Sequence, residues 1–241
     1  MRDPIPSTAL LKEIPPFEGF PNEGRRFLAG LALHNEKPWF DAHRDEYERS
    51  LLAPMRSLVL EVGTRLRKST PAITADPRVG GSIMRIARDI RFAADKSPYK
   101  TWVAARWWEG PNREQSAAYY FHIDAESTYA GGGIYQFDDD QLVRYRAALH
   151  DPKTLASLKK ALKGLSDLEI GGETLKRPPR GFTPDHPAGD LMLHKGFYAG
   201  RDLPARAAKS PQVIEEAVAV YKQLLPLNRW LTTHVVHAHR P

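Results

Sequence analysis

The densest chemistry in the sequence lies between positions 85 and 100, Arg85-Ile-Ala-Arg88-Asp89-Ile-Arg91-Phe92-Ala-Ala-Asp95-Lys96-Ser-Pro-Tyr99-Lys100. Five cations, two carboxylates and a phenol fall within sixteen residues. Arginine forks bind phosphate or carboxylate bidentately, and lysines add point charge, so Arg85, Arg88, Arg91, Lys96 and Lys100 form a candidate anion site. Asp89 and Tyr99 are the candidate catalytic groups, able to handle a proton while the arginines stabilise negative charge. A structural alternative competes with this reading: Asp89 and Asp95 lie among the cations, and an internal ion-pair network needs no ligand.

The segment reads as a strand, because Gly80-Gly81 and the turn-like Asp95-Lys-Ser-Pro98 bracket it. Alternation then places Arg85, Asp89 and Arg91 on one face, and Met84, Ile86, Ile90 and Phe92 on the other with Arg88 among them. An arginine on an apolar face needs a carboxylate, a carbonyl or a bound anion to offset desolvation, which makes Arg88 the most informative residue of the chain. Read instead as a helix, the segment would cluster Arg85, Arg88 and Asp89.

The elements around it follow from periodicity. Five prolines within positions 1–21 predict an extended N-terminal arm, with one α+β domain over 22–241. Three amphipathic helices follow: one capped by Asn22, one opened by Pro38 and one beginning after Pro54, carrying Phe27, Leu28 and Leu31, then Phe40 and Tyr47, then Met55, Leu58 and Val62. Segments 83–92, 100–108, 117–124 and 128–137 are short and rich in aromatic and β-branched residues, and they predict an antiparallel sheet. Tyr119, Phe121 and Ile123 would share its buried face, and Tyr120, His122 and Asp124 a wet one. Trp102 and Trp108 alternate against Trp107, so only part of this aromatic set, beside Arg106, could stack on a base.

Helices return at Asp138, whose spacing from Gln141 is that of a capping box, and at Asp151-Pro152, where Gly164 closes the helix. A Gly- and Pro-rich connection over 171–190 reads as irregular. A last long helix follows Ser210-Pro211, with an interruption at Pro226. The expected architecture is α+β: a central antiparallel sheet between N-terminal and C-terminal helical layers.

Composition limits the chemistry further. The chain has 241 residues, 41% of them hydrophobic, a formal net charge of +6 and no cysteine. Disulfides, thiolate metal sites and cysteine nucleophiles are thereby excluded. The basic excess falls at 141–210, where thirteen cations face seven acids, and it admits nucleic acid as a second partner class alongside a phosphate-bearing small molecule. No G-x-x-x-x-G-K-[ST] or H-E-x-x-H occurs, no metal site is assigned, and the sequence names no cofactor. The terminal His234, His237 and His239 lack a carboxylate companion, and Asp138-Asp-Asp140 suits a helix N-terminus. Without an apolar leader or a long apolar run, a cytoplasmic protein that does not enter membranes is the expectation.

The run Arg85-x-x-Arg88-Asp89-x-Arg91-Phe92 followed by Asp95-Lys96-x-x-Tyr99 resembles the hallmark of the bacterial domain-of-unknown-function family 2461. Phe17 to Phe20, Trp39-Phe40 with Tyr47 and Pro54, Tyr119-Tyr-Phe121, Gly131-Gly-Gly-Ile-Tyr135 and the Pro-Arg-Gly-Phe and Asp-His-Pro pieces of 176–193 are similar too. The resemblance spans roughly 17–230 and marks positions 85, 88, 89, 91, 92, 95, 96, 99 and 100 as its motif, one that either builds a site or locks the fold. It carries no established activity.

Overall fold

The computed structural model describes residues 14–204 and 206–237. Of the proline-rich arm, residues 1–13 lie outside the described part. The remainder runs without regular structure, yet Phe17 and Phe20 are each only 3% exposed. The Phe17 N–H donates to Glu61 Oε1 at 2.6 Å, and the Phe20 N–H to the Ala208 carbonyl at 2.7 Å.

Helix α1 (Asn22–Leu33) buries Phe27, Leu28 and Leu31 as its periodicity requires, but Asn22 lies inside it, and Pro21 precedes it without a side-chain cap. Short helices α2 (Lys37–Ala42) and α3 (Arg44–Tyr47) follow. From α3 the chain runs through a π-helical turn (Glu48–Leu52) directly into α4 (Ala53–Leu66), where a break before Pro54 was expected. The Ala53 N–H reaches back to the Glu48 carbonyl. Pro54 has no N–H to offer, and the wider turn carries the helix past it.

The sheet has five strands, β1 (Trp102–Trp108), β2 (Ala118–Asp124), β3 (Thr128–Ile134), β4 (Glu169–Gly171) and β5 (Phe197–Asp202), in the order β1-β2-β3-β5-β4. It is antiparallel, and with its helices it makes the chain an α+β protein. In the β4–β5 pair Glu169 faces Gly200 and Gly171 faces Tyr198. The predicted strand over 83–92 does not form. Isolated bridges tie that segment in, Ile83 to Val79 and to Ala105, and Ala87 to Tyr99.

Helix α5 (Asp139–His150) begins with the expected Asp138/Gln141 capping box, and α6 (Pro152–Lys163) with Asp151 accepting from the Thr154 N–H. Helix α7 (Gln212–Leu231) runs through Pro226 without breaking. Pro226 is exposed while Leu224 and Leu227 beside it are wholly buried, so packing of the inner face outweighs one missing solvent-side hydrogen bond.

The chain gathers into two compact units: one of residues 1–108, 120–130 and 202–219, the other of 109–119, 131–201 and 220–241. The core of the first is helical and aromatic. Trp107 is fully buried, and its indole N–H donates to the Val59 carbonyl at 2.9 Å. Gly63 lets α4 approach Ala75, because a Cβ there would overlap the Ala75 methyl. In the second unit the Tyr145 hydroxyl donates to the Leu191 carbonyl at 2.8 Å, and the Trp230 indole to Thr154 and Ser157, each at 3.1 Å.

Candidate functional site

All of the positively charged motif lies in the first unit. The segment folds as a loop pinned at its neck. The Lys100 N–H donates to the Ile86 carbonyl at 2.9 Å and the Arg88 N–H to the Pro98 carbonyl at 2.8 Å. Asn35, just after α1, clasps the exit: its amide donates to the Tyr99 carbonyl at 2.9 Å and accepts from the Tyr99 N–H at 3.0 Å.

The loop has a solvated outer half. Arg91 and Asp89 form a forked ion pair at 2.6 and 2.9 Å, with 77% and 61% of their side chains exposed. That pairing holds the Asp89 carboxyl below its usual range. The Lys96 ammonium donates to the Ile90 carbonyl at 3.1 Å, and Phe92, expected on an apolar face, is 96% exposed. Up to Ile90 the predicted alternation does show in burial, with Ile86 buried, Met84, Arg88 and Ile90 half-buried, and Arg85, Asp89 and Arg91 exposed; it ends at Phe92, which no neighbouring strand covers.

Arg88 is the half-buried arginine that the sequence implied, and its partner is the Asp95 carboxylate. Hydrogen bonds from Arg88, then from Ser97, push the Asp95 carboxyl far below the usual range. Arg85 is exposed, and its carbonyl accepts from the Lys100 ammonium at 2.8 Å. Tyr99 stacks on Phe40, with ring centroids 4.3 Å apart. The two candidate catalytic groups thus sit in different settings, Asp89 in solvent with Arg91 and Tyr99 against α2.

Lys100 is different. Its ammonium lies 4.9 Å over the Trp102 ring, and its pKa is pushed down, first by burial and then by the Arg106 and Arg88 guanidinium groups. Trp102 and Arg106 alternate onto the same side of β1. The matching side of β2 carries Tyr120, His122 and Asp124, all half-buried, while Tyr119, Phe121 and Ile123 are buried on the other side, as the alternation predicted. Of the three tryptophans of β1, Trp107 and Trp108 are buried, Trp108 being covered although it alternates onto the side of Trp102, and Trp102 is half-buried beside Lys100.

His122 sits among rings: Trp102 at 6.1 Å, Tyr120 at 5.6 Å and Tyr129 of β3 at 5.4 Å, the last nearly parallel at 14°. Its Nε2 is 3.7 Å from Asp124 Oδ2. Burial pushes the imidazole pKa down, and Asp124 and Asp202 oppose that shift. Sequence reasoning placed Arg106 beside the tryptophans and His122 on the wet face, but did not count either with the motif. Strand alternation carried forward from Lys100 through Trp102 would have joined them. Among the described residues no group of three metal-ligating side chains occurs, and no helix is long and apolar enough to cross a membrane.

The helices and the antiparallel sheet make this an α+β protein. Residues 23–230 match the family described as a conserved hypothetical protein (DUF2461), and the chain belongs to that family. No curated protein and no solved structure matches it.

Proposed function

We propose that the protein binds a small anion, a phosphate or carboxylate group, at Lys100, Arg88 and Arg106 on the wet side of β1. The observation that carries this reading is the setting of Lys100. Its ammonium is half-buried, two guanidinium groups act on it, and its described contacts are a carbonyl and a ring face, with no carboxylate. Withdrawing an ammonium from water beside like charges is unfavourable, and an anion seated there would offset that cost.

The ion pairs favour a second role for Arg88: paired with Asp95 it closes the loop that holds Lys100, while Asp89 and Arg91 pair only with each other in solvent. The test is calorimetric titration with inorganic phosphate and acetate at constant ionic strength. Wild type should bind saturably, Lys100→Met should lose about tenfold in affinity, and Arg91→Ala should bind as wild type does. No binding by wild type, or equal losses in the two variants, would overturn the reading.

A further inference from the structure

We infer that the anion held at Lys100 belongs to a ring-bearing ligand, a nucleoside monophosphate unit whose base lies against Trp102, His122 and Tyr129. This inference rests on the anion-binding reading above and adds the chemistry of the rest of the ligand.

Three observations support it. First, the residues are wrong for an ordinary solvated sheet face. An antiparallel sheet with one buried side needs only polar side chains on the other, and here the buried side is already supplied by Tyr119, Phe121 and Ile123. The wet side nonetheless carries Trp102, Tyr120, His122 and Tyr129, all half-buried, with neighbouring ring centroids 5.4 to 6.3 Å apart. Cross-strand ring pairs stabilise a sheet, but that accounts for single pairs rather than for four rings in succession over three strands.

Second, the array is polar along its length. The Trp102 end carries the Lys100 ammonium, with Arg88 and Arg106 acting on it, and the other end carries the Asp124 carboxylate, which also accepts from the Glu126 and Ser127 N–H groups and the Ser127 hydroxyl, and lies within reach of Asp202. A ligand matching this gradient has its anionic group at one end and hydrogen-bond donors at the other, with flat apolar surface between them. A phosphate, its sugar and an amino-bearing base meet that description in order. Third, burial lowers the pKa of the His122 imidazole among these rings, which favours its uncharged form and so a ring rather than a second cation facing the base.

A free nucleotide and the end of a single strand share this chemistry, and the experiment separates them. Wild type, Trp102→Leu, His122→Leu and Lys100→Met are titrated with inorganic phosphate, ribose 5-phosphate, AMP and a 5′-phosphorylated pentanucleotide at fixed salt, by calorimetry and tryptophan fluorescence. The expected result is AMP binding about tenfold more tightly than ribose 5-phosphate, in line with base stacking on an aromatic side chain. Trp102→Leu and His122→Leu should each erase much of that advantage, and His122→Leu, which does not touch Lys100, should leave phosphate binding intact. Lys100→Met should weaken all four ligands. A pentanucleotide that binds more tightly than AMP, with the same dependence on Trp102, assigns the unit to a single strand; equal affinity assigns it to the free nucleotide.

Equal binding of AMP and ribose 5-phosphate, or an AMP advantage that survives both ring variants, overturns the inference and leaves the anion reading standing. No phosphate binding by wild type removes both. Circular dichroism and the thermal midpoint establish that each variant is folded, and the two ring variants lie on different strands, so loss of one still leaves the other to decide.

Discussion

Asn35→Ala should loosen the motif from a distance, because Asn35 is the side chain that fixes where Lys100 begins. Both of its hydrogen bonds, at 2.9 and 3.0 Å, go to the backbone of Tyr99, the residue that bridges to Ala87 across the neck of the loop. Each bond is worth about 1 kcal/mol net, and Tyr99 is half-buried, so water recovers part of the loss; the sum is about 2 kcal/mol. At a urea m-value of about 3 kcal/mol/M, that moves the denaturation midpoint down by roughly 0.7 M. Asn35→Asp keeps the acceptor for the Tyr99 N–H and loses the donor, so it should fall about halfway. Phosphate affinity should drop in the alanine variant, since Lys100 follows Tyr99 directly. A midpoint within about 0.15 M of wild type would refute the claim that Asn35 anchors the loop. An aspartate variant as unstable as the alanine variant would refute the assignment of its oxygen to the Tyr99 N–H.

Other outcomes follow from the same geometry. Gly63→Ala should cost about 3 kcal/mol in chemical denaturation, because the new methyl overlaps that of Ala75 where α4 packs. Asp95 has a carboxyl pKa well below its ordinary 3.8, so the stability it contributes is present above that value and disappears as the pH falls through the folded value. Thermal midpoints of Asp95→Asn should therefore be less pH-dependent than those of wild type in acid, and parallel curves would contradict the Arg88 pairing. His122 has its pKa pushed below 6.5 by burial, so the unfolded chain takes up the proton first and stability falls on acidification below that value. His122→Gln should flatten this part of the profile, and an unchanged slope would mean that the imidazole is not desolvated.

The limits of the sequence reading have identifiable physical causes. Helix ends with side-chain caps, at Asp138 and Asp151, were legible because the signal is local and chemical. So was the two-sided character of β2, where period-two alternation is unbroken. Strands β4 and β5 were missed, since Gly171 and Gly200 interrupt their apolar patterns and pairing partners far apart in sequence create them. The converse error befell 83–92. Its residues suit a strand, but it makes isolated bridges rather than a ladder, and Asp95, Ser97 and Asn35 shape a loop through hydrogen bonds that periodicity does not register.

That loop also explains why the motif reads so strongly in the sequence and divides so sharply in the structure. Had 83–92 been a strand, Arg88 and Phe92 would have shared an inward face, and Asp89, Arg85 and Arg91 an outward one. As a loop closed by Arg88 and Asp95, the segment turns Phe92, Arg91 and Asp89 into solvent and returns the chain to β1 with Lys100 at its entrance. Within the loop Asp89 pairs with Arg91 and Asp95 with Arg88. The cations that act on Lys100 come from the neck of the loop and from within β1, at Arg88 and Arg106. Local charge density therefore marks the device that positions the site, and strand alternation from Lys100 through Trp102 to Arg106, continued on β2 through His122, marks the surface on which a ligand would be recognised.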